Sequence, residues 1–127
     1  MRDEVAIITG AASGIAKHFA AELERRDYRL VLVDIDSDGL REAFTESEDL
    51  RLVELDIRDR DGWERLFADV EDRFGRLDYV FNIAGVHEPA YTADATLDEV
   101  DLHLDVNAKG TIYGTVLAVQ RMKEQGY

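Results

Sequence analysis

Residues 5–26, VAIITGAASGIAKHFAAELERR, join two different hydrophobic patterns through a glycine-containing turn. The run VAIIT (5–9) is apolar without interruption and β-branched, which predicts a strand buried on both faces. After the turn, Ile15, Phe19 and Leu23 recur at four-residue spacing, which predicts an amphipathic helix over 14–26 with these residues on its apolar face. A buried strand that leads through glycines into a helix is the unit from which α/β folds are built.

The same alternation continues along the chain. The patterns predict further strands at 29–34 and 51–56, and a fourth strand that runs into a loop within 77–85. They also predict helices at 37–44 and 59–74, and two helical pieces between 96 and about 124 that meet near Asn107. Ser37 is the expected N-cap of the helix over 37–44, and Gly75 the expected terminator of the helix over 59–74. The chain is therefore predicted to form one α/β domain, residues 1–127, with a doubly wound parallel sheet and helices on both faces.

Composition excludes several classes of partner. Lys and Arg number 15 against 28 Asp and Glu, a net charge of -13, and no basic stripe is present to contact nucleic-acid phosphates. No apolar run approaches the roughly 18 residues that a membrane span needs, and the first residues do not read as a signal peptide, so a cytoplasmic protein is expected. Without cysteine there are no disulfides or thiolate ligands, and the three scattered histidines predict no metal site.

The turn at Gly10 and Gly14 is where a ligand is expected. It lies between a strand and the start of a helix, whose unpaired N–H groups and partial positive charge favour a phosphate. An ordinary tight turn of small residues is the alternative. Asp34 decides between them, because it ends the second strand 20 residues after Gly14, where an acid can accept both hydroxyls of an adenosine ribose. The combination predicts dinucleotide binding.

Four segments in this order resemble the N-terminal half of a short-chain dehydrogenase/reductase. They are TGAASGIA (9–16), LDIRD (55–59), NIAG (82–85) and LDVNAKGT (104–111). The resemblance covers essentially the whole chain and implies a Rossmann-like sheet of strand order 3-2-1-4, truncated after its fourth strand and following helix. Two departures are visible: Ala16 replaces the last glycine of the turn, and Ile83 replaces an asparagine. Ala16 is expected to weaken cofactor affinity without abolishing it.

The resemblance also implies roles for individual residues. Asp56 is expected to accept from the adenine amino group and Ile57 to pack on the ring, Asn82 to tie adjacent strands, and Ala84 and Gly85 to leave the nicotinamide ribose accessible. Asn107 corresponds to the family's active-site asparagine. The implied cofactor-binding residues are Gly10, Ala12, Ser13, Gly14, Ile15, Asp34, Ile35, Asp56, Ile57, Asn82, Ala84 and Gly85.

The cofactor is expected to be NAD(H) rather than NADP(H). Asp34 would repel a 2′-phosphate, and Ser13 stands where a basic residue would attract one. The implied reaction is hydride transfer between the nicotinamide and an alcohol or carbonyl substrate.

The family's catalytic serine and Tyr-x-x-x-Lys motif have no counterpart in this sequence. Tyr91 and Tyr113 lack a lysine four residues later, and Asn107 is the only catalytic residue that can be matched. We expect this chain alone to be inactive, as the cofactor-binding half of an oxidoreductase; a non-catalytic dinucleotide-binding or assembly module is the alternative.

Self-association is expected at the fourth strand and the last helix. The fourth strand would form a free sheet edge, and the last helix carries Ile112, Val116, Leu117 and Val119, which need cover. A homodimer or larger assembly is predicted.

Overall fold

A computed structural model, which describes residues 2–127, shows one parallel sheet of the predicted order β3-β2-β1-β4 within that range. The strands are β1 (Val5–Thr9), β2 (Arg29–Asp34), β3 (Leu50–Glu54) and β4 (Tyr79–Phe81). In register, Ile7 of β1 lies opposite Val31 of β2 and Val80 of β4. The predicted α/β, Rossmann-like fold is confirmed; Met1, the first residue of the predicted domain, lies outside the described residues.

Helices connect the strands on both faces of the sheet. They are α1 (Gly14–Arg25), α2 (Ser37–Ala43), α3 (Arg60–Phe74), α4 (Leu97–His103) and α5 (Thr111–Gln125). A π-helical segment, Leu104–Gly110, joins α4 to α5, so the two predicted helical pieces meet near Asn107 as expected, through a widened turn. The loop between β4 and α4 contains one 3-10 turn, Thr92–Asp94.

Two hydrophobic clusters cover the two faces of the sheet. On one face, α3 contributes Trp63, Leu66, Phe67 and Val70, and the Trp63 indole donates to the Ile57 carbonyl oxygen at 2.8 Å. On the other face, Ala16, Ala20 and Leu23 of α1 pack with Leu40 and Phe44. The apolar residues of β1 and β2 lie at the centre with almost no exposed surface, which is why these strands read as continuous apolar runs.

Two expectations about local structure are wrong. Ile15 does not lie on the buried face of α1 but is 79% exposed, because the small residues Ala16 and Ala20 make the close contact with the sheet. The N-cap of α2 is Asp36 rather than Ser37, and its carboxylate accepts the Gly39 N–H at 2.9 Å. Within the predicted 77–85, strand β4 covers only Tyr79–Phe81, because residues beyond Phe81 leave the ladder.

Side chains close the amino end of β4. Asp78 Oδ2 accepts the Val5 N–H at 2.8 Å, and Arg76 forms a two-pronged ion pair with the same carboxylate at 2.6 and 2.8 Å. Partial burial works to raise the pKa of Asp78, but Arg76 and the Val5 N–H outweigh it and hold that pKa below its ordinary value. The Gln125 amide accepts from the Leu77 N–H at 2.8 Å and donates to the Leu77 carbonyl at 2.9 Å.

The outer side of α5 is apolar and exposed. Ile112, Val116 and Val119 are 56%, 47% and 59% exposed, whereas Leu117 turns partly into the core and needs no further cover. Strand β4, beside α5, pairs with β1 alone among the described residues. No helix in residues 2–127 has the length and apolar character of a membrane span.

Candidate functional site

A crevice opens at the carboxyl ends of the strands, between the turn after β1 and the loop after β4. It has a volume of about 450 Å³. In an open parallel sheet this is the topological switch point, where the chain connections diverge and ligands bind. Of the twelve predicted cofactor-binding residues, those that line it are Gly10, Ser13, Gly14, Ile15, Asp34, Ile35, Asp56, Ile57, Ala84 and Gly85.

Gly10 brings the turn after β1 against the loop after β4. Its φ is +77°, and a Cβ atom built on it would lie 2.9 Å from the Ala84 Cα and 3.0 Å from the Ala84 nitrogen. Both neighbours are backbone atoms, so they cannot rotate away as a side chain would. Only glycine fits here, and its absence of a side chain sets the width of the crevice floor.

The N-terminus of α1 is open at the crevice. Its N-cap, Ser13, makes no side-chain cap hydrogen bond, whereas the N-caps of α2, α3 and α4 all accept a backbone N–H. The unpaired N–H groups of the first turn and the positive end of the helix dipole are therefore available to an anion. Ala16 is 1% exposed and its methyl group is accommodated between α1 and the sheet.

Asp34 links the glycine turn to the end of β2. One carboxylate oxygen accepts the Ala12 N–H at 3.0 Å, and the other accepts the Asp36 N–H at 2.9 Å. Ala12 does not itself line the crevice and takes part through this backbone bond. Since a carboxylate oxygen has two lone-pair sites, each Asp34 oxygen keeps one acceptor position for a further donor.

Thr9 holds the two sides of the crevice together. It is the last residue of β1 and is 1% exposed, and its Oγ1 accepts the N–H groups of Ile83 and Ala84, both at 3.0 Å. The expectation that Asn82 ties adjacent strands is wrong, because its Nδ2 donates to Thr115 of α5 at 3.1 Å and the side chain does not line the crevice. The sequence signal for this role of Thr9 is a hydroxyl at the end of an apolar strand.

Asn107 fixes the loop after β4 from the π-helical segment. Its Oδ1 accepts the Val86 N–H and its Nδ2 donates to the Val86 carbonyl, both at 2.8 Å. One turn earlier, His103 Nε2 accepts the Glu88 N–H at 3.1 Å while Nδ1 lies 2.6 Å from the Glu99 carbonyl oxygen, which places its proton on Nδ1. The polar atoms of both side chains are therefore used to fix the path of the loop and do not point into the crevice.

Asp56 and Arg58 form an ion pair at the other end of the crevice. Arg58 Nε lies 3.0 and 3.1 Å from the two carboxylate oxygens and its Nη2 lies 2.6 Å from Oδ2. This pairing holds the pKa of Asp56 below its ordinary value and raises that of Arg58. Sequence reasoning missed Arg58, although a cation two residues after a strand-end acid signals such a pair.

Other features of the described residues do not form a comparable site. A groove of about 640 Å³ between α3 and α5 is larger, but neither glycine turn nor open helix end borders it. Among residues 2–127 no three His, Asp or Glu side chains gather where they could hold a metal ion.

The geometry thus defines an α/β domain with an open crevice at the switch point of its sheet, and known proteins match it. The short chain dehydrogenase family matches residues 4–127. An uncharacterized oxidoreductase of Staphylococcus aureus (strain N315) is 32% identical over 127 residues, which are 98% of this chain and 55% of the relative. An NADP-dependent (R)-specific alcohol dehydrogenase of Lentilactobacillus kefiri is 32% identical over 129 residues, 99% of this chain and 51% of that protein.

Solved structures agree. A 3-ketoacyl-(acyl-carrier-protein) reductase from Brucella melitensis, in complex with NADH, superposes with a TM-score of 0.89 at 28% identity, covering 97% of this chain and 52% of that one. The chain belongs to the short chain dehydrogenase family, and it spans about half the length of the relatives that it matches.

Proposed function

We propose that this chain is the cofactor-binding half of an NAD(H)-dependent oxidoreductase that transfers hydride between the nicotinamide and an alcohol or carbonyl group. The observation that carries the proposal is the uncapped N-terminus of α1, which opens into a crevice at the switch point of the sheet. The cytoplasmic location predicted from the sequence stays a prediction.

In this proposal the residues along the crevice bind successive parts of the cofactor. The pyrophosphate lies at the glycine turn and the first turn of α1, where Ile15 is exposed toward it. Asp56 and Ile57 contact the adenine, while Ala84 and Gly85 border the nicotinamide ribose. Ile35, which is 60% exposed after β2, is available to pack on the adenosine.

Asp34 selects NAD(H) over NADP(H) in this proposal. Its two free acceptor positions, one on each oxygen, match the two hydroxyls of a ribose. A 2′-phosphate would place negative charge against the carboxylate, and the next residue, Ile35, offers no cation. The names of the matched proteins include both cofactors: one relative is NADP-dependent, and one solved structure is a complex with NADH.

A cofactor titration tests this assignment. NADH and NADPH are titrated into the protein, its Asp34→Ala variant and the matched control Asp38→Ala, whose carboxylate is fully exposed outside the crevice. NADH should bind the parent more tightly than NADPH, and Asp34→Ala should weaken NADH binding by roughly 1–3 kcal/mol because charged acceptors are lost. Tighter NADPH binding by the parent, or an Asp34→Ala variant with unchanged NADH affinity, contradicts the assignment.

We also propose that this chain alone does not turn over substrate. No tyrosine in the sequence is followed four residues later by lysine, the pair that the family uses as general acid and base. The amide oxygen and the amide nitrogen of Asn107 are both hydrogen-bonded to the backbone of Val86, so its proposed contribution is to position the loop. A non-catalytic dinucleotide-binding or assembly module is the alternative. The test is to incubate the isolated chain with NAD and a panel of alcohols. Steady production of NADH would contradict both the inactive cofactor-binding half and the non-catalytic module.

Self-association through α5 and β4 is a further part of the proposal. Ile112, Val116 and Val119 present an apolar surface beside a strand that pairs on one side only among the described residues. Light scattering at micromolar concentration should show a dimer or larger assembly, and a monodisperse monomer would rule this out.

A further inference from the structure

Arg58 holds the Asp56 carboxylate in a fixed orientation at the end of the crevice where the proposed dinucleotide places its adenine. Its guanidinium approaches side-on, with Nε shared between the two oxygens and Nη2 on Oδ2. The Arg58 N–H also donates to Oδ1, at 3.0 Å. One residue therefore contacts the carboxylate through its backbone and its side chain together, and this fork geometry orients a carboxylate more firmly than a point charge does.

The pairing leaves the carboxylate with little free acceptor capacity. Oδ1 accepts from both the backbone N–H and Nε of Arg58, which occupies its two lone-pair sites. Oδ2 accepts Nη2 and shares Nε, which leaves one strong acceptor position on that oxygen. Asp56 and Arg58 both line the crevice, and among the described residues that line it Arg58 is the only basic one.

We propose that Arg58 is a positioning residue that makes Asp56 a single, fixed hydrogen-bond acceptor and thereby selects dinucleotides whose purine carries an exocyclic amino group. This inference rests on the proposed dinucleotide site. At C6 of the purine, adenine presents an N–H donor whereas hypoxanthine presents a carbonyl oxygen. That oxygen meets the remaining acceptor position of Asp56 acceptor to acceptor, so neither of the two finds a donor.

The ion pair changes the charge at this end of the crevice as well as the orientation of the carboxylate. The effect of charge on binding can be separated from the effect of orientation. Arg58 offsets the charge of Asp56, and Asp105, whose charge also acts on Arg58, is paired with Lys109 at 3.2 Å. Loss of the Arg58 charge weakens every dinucleotide alike, because all carry the same pyrophosphate. Loss of the fixed orientation weakens only the adenine form. The ratio of the two affinities therefore isolates orientation from charge.

Calorimetric titration with NADH and with its hypoxanthine analogue, deamino-NADH, tests the inference on the full 127-residue chain. The variants are Arg58→Ala, Arg58→Lys and Asp56→Asn, and the matched control is Arg51→Ala. Arg51 forms an exposed ion pair with Glu46 at 2.9 Å and does not line the crevice. Thermal unfolding of each variant checks that it is folded.

The parent and the control should favour NADH by about tenfold or more. Arg58→Ala and Arg58→Lys should both bring that preference to about threefold or less, because the lysine restores the charge but not the fork. Asp56→Asn should abolish it, since an amide can donate to the hypoxanthine oxygen.

Each contrary result has its own meaning. An unchanged preference in Arg58→Lys overturns the role of the fork, and a preference below about threefold in the parent overturns the selection itself. If the parent binds both dinucleotides equally tightly, the proposed function survives and this inference fails. If the parent binds neither dinucleotide, both fail together.

Discussion

At the amino end of the sheet, side chains satisfy the backbone groups of Val5 and Leu77, whereas at the carboxyl end the first turn of α1 is left without a side-chain cap. Asp78 and Gln125 fasten the beginning of β4 to β1 and α5. At the other end, α1 begins without a side-chain cap and Ile15 is exposed beside it. The amino end therefore contributes stability, and the carboxyl end keeps donors and apolar surface for a ligand.

The substitution with the largest expected effect lies at the carboxyl end, although the comparison assigns stability mainly to the amino end. Gly10→Ala should lower the free energy of unfolding by about 2–4 kcal/mol, through its positive φ and the contact of the new Cβ with the Ala84 backbone. The matched control is Gly75→Ala, which has a φ of +70° but open space around it and should lose only about 1 kcal/mol. Chemical denaturation measures both, and equal losses would show that the Ala84 contact does not matter.

The next effect sharpens the comparison at the amino end. Asp78→Asn should lower the free energy of unfolding at pH 7 by about 1–2 kcal/mol, because the charge that Arg76 pairs with is removed. The folded-state pKa of Asp78 lies below its ordinary value, so its contribution is present at neutral pH and disappears as the pH falls through and below about 4. Unfolding curves from pH 7 to pH 3 should therefore converge for parent and variant. A gap that widens on acidification would contradict the sign of the shift.

The smallest effect compares two helix starts at the same end of the sheet. Asp59→Ala removes the cap of α3, which accepts the Gly62 N–H at 3.0 Å, and should cost about 1 kcal/mol. Ser13→Ala at the start of α1 should change stability by less than about 0.5 kcal/mol, because no cap hydrogen bond is lost. Thermal unfolding of the two variants without cofactor measures the difference. A loss at Ser13 as large as that at Asp59 would mean that the α1 terminus is closed by its own side chain.

The sequence predicted the two central strands of the sheet well because they are buried on both faces. β1 and β2 were predicted with their observed bounds, since each contains an uninterrupted run of four buried apolar residues. The residue at which β4 ends was not predicted, because Ile83 and Ala84 are apolar like strand residues although their N–H groups turn to the Thr9 hydroxyl. A hydrogen bond between segments more than 70 residues apart leaves no local pattern.

The candidate site was predictable where it depends on backbone and position. Gly10 and Asp34 were identified from their places after β1 and at the end of β2, and both line the crevice. Ile15 was misplaced because alanines give a weak periodic signal although they form the close face of α1. The π-helical turn at Asn107 and the Arg58 fork depend on hydrogen bonds that hydrophobic periodicity does not encode.

The side-chain amides of Gln125 and Asn107 limit the length of chain that is available for strand pairing beside β4. Gln125 and Asn107 each pair with both the N–H and the carbonyl of one residue, Leu77 and Val86, as the peptide groups of an adjacent strand would. At each end of the segment from Leu77 to Val86, a side-chain amide therefore takes the place of a peptide group of a neighbouring strand. Any strand that adds to the free edge of β4 finds Leu77 and Val86 already occupied, so its register is confined to the stretch between them, which contains Tyr79–Phe81.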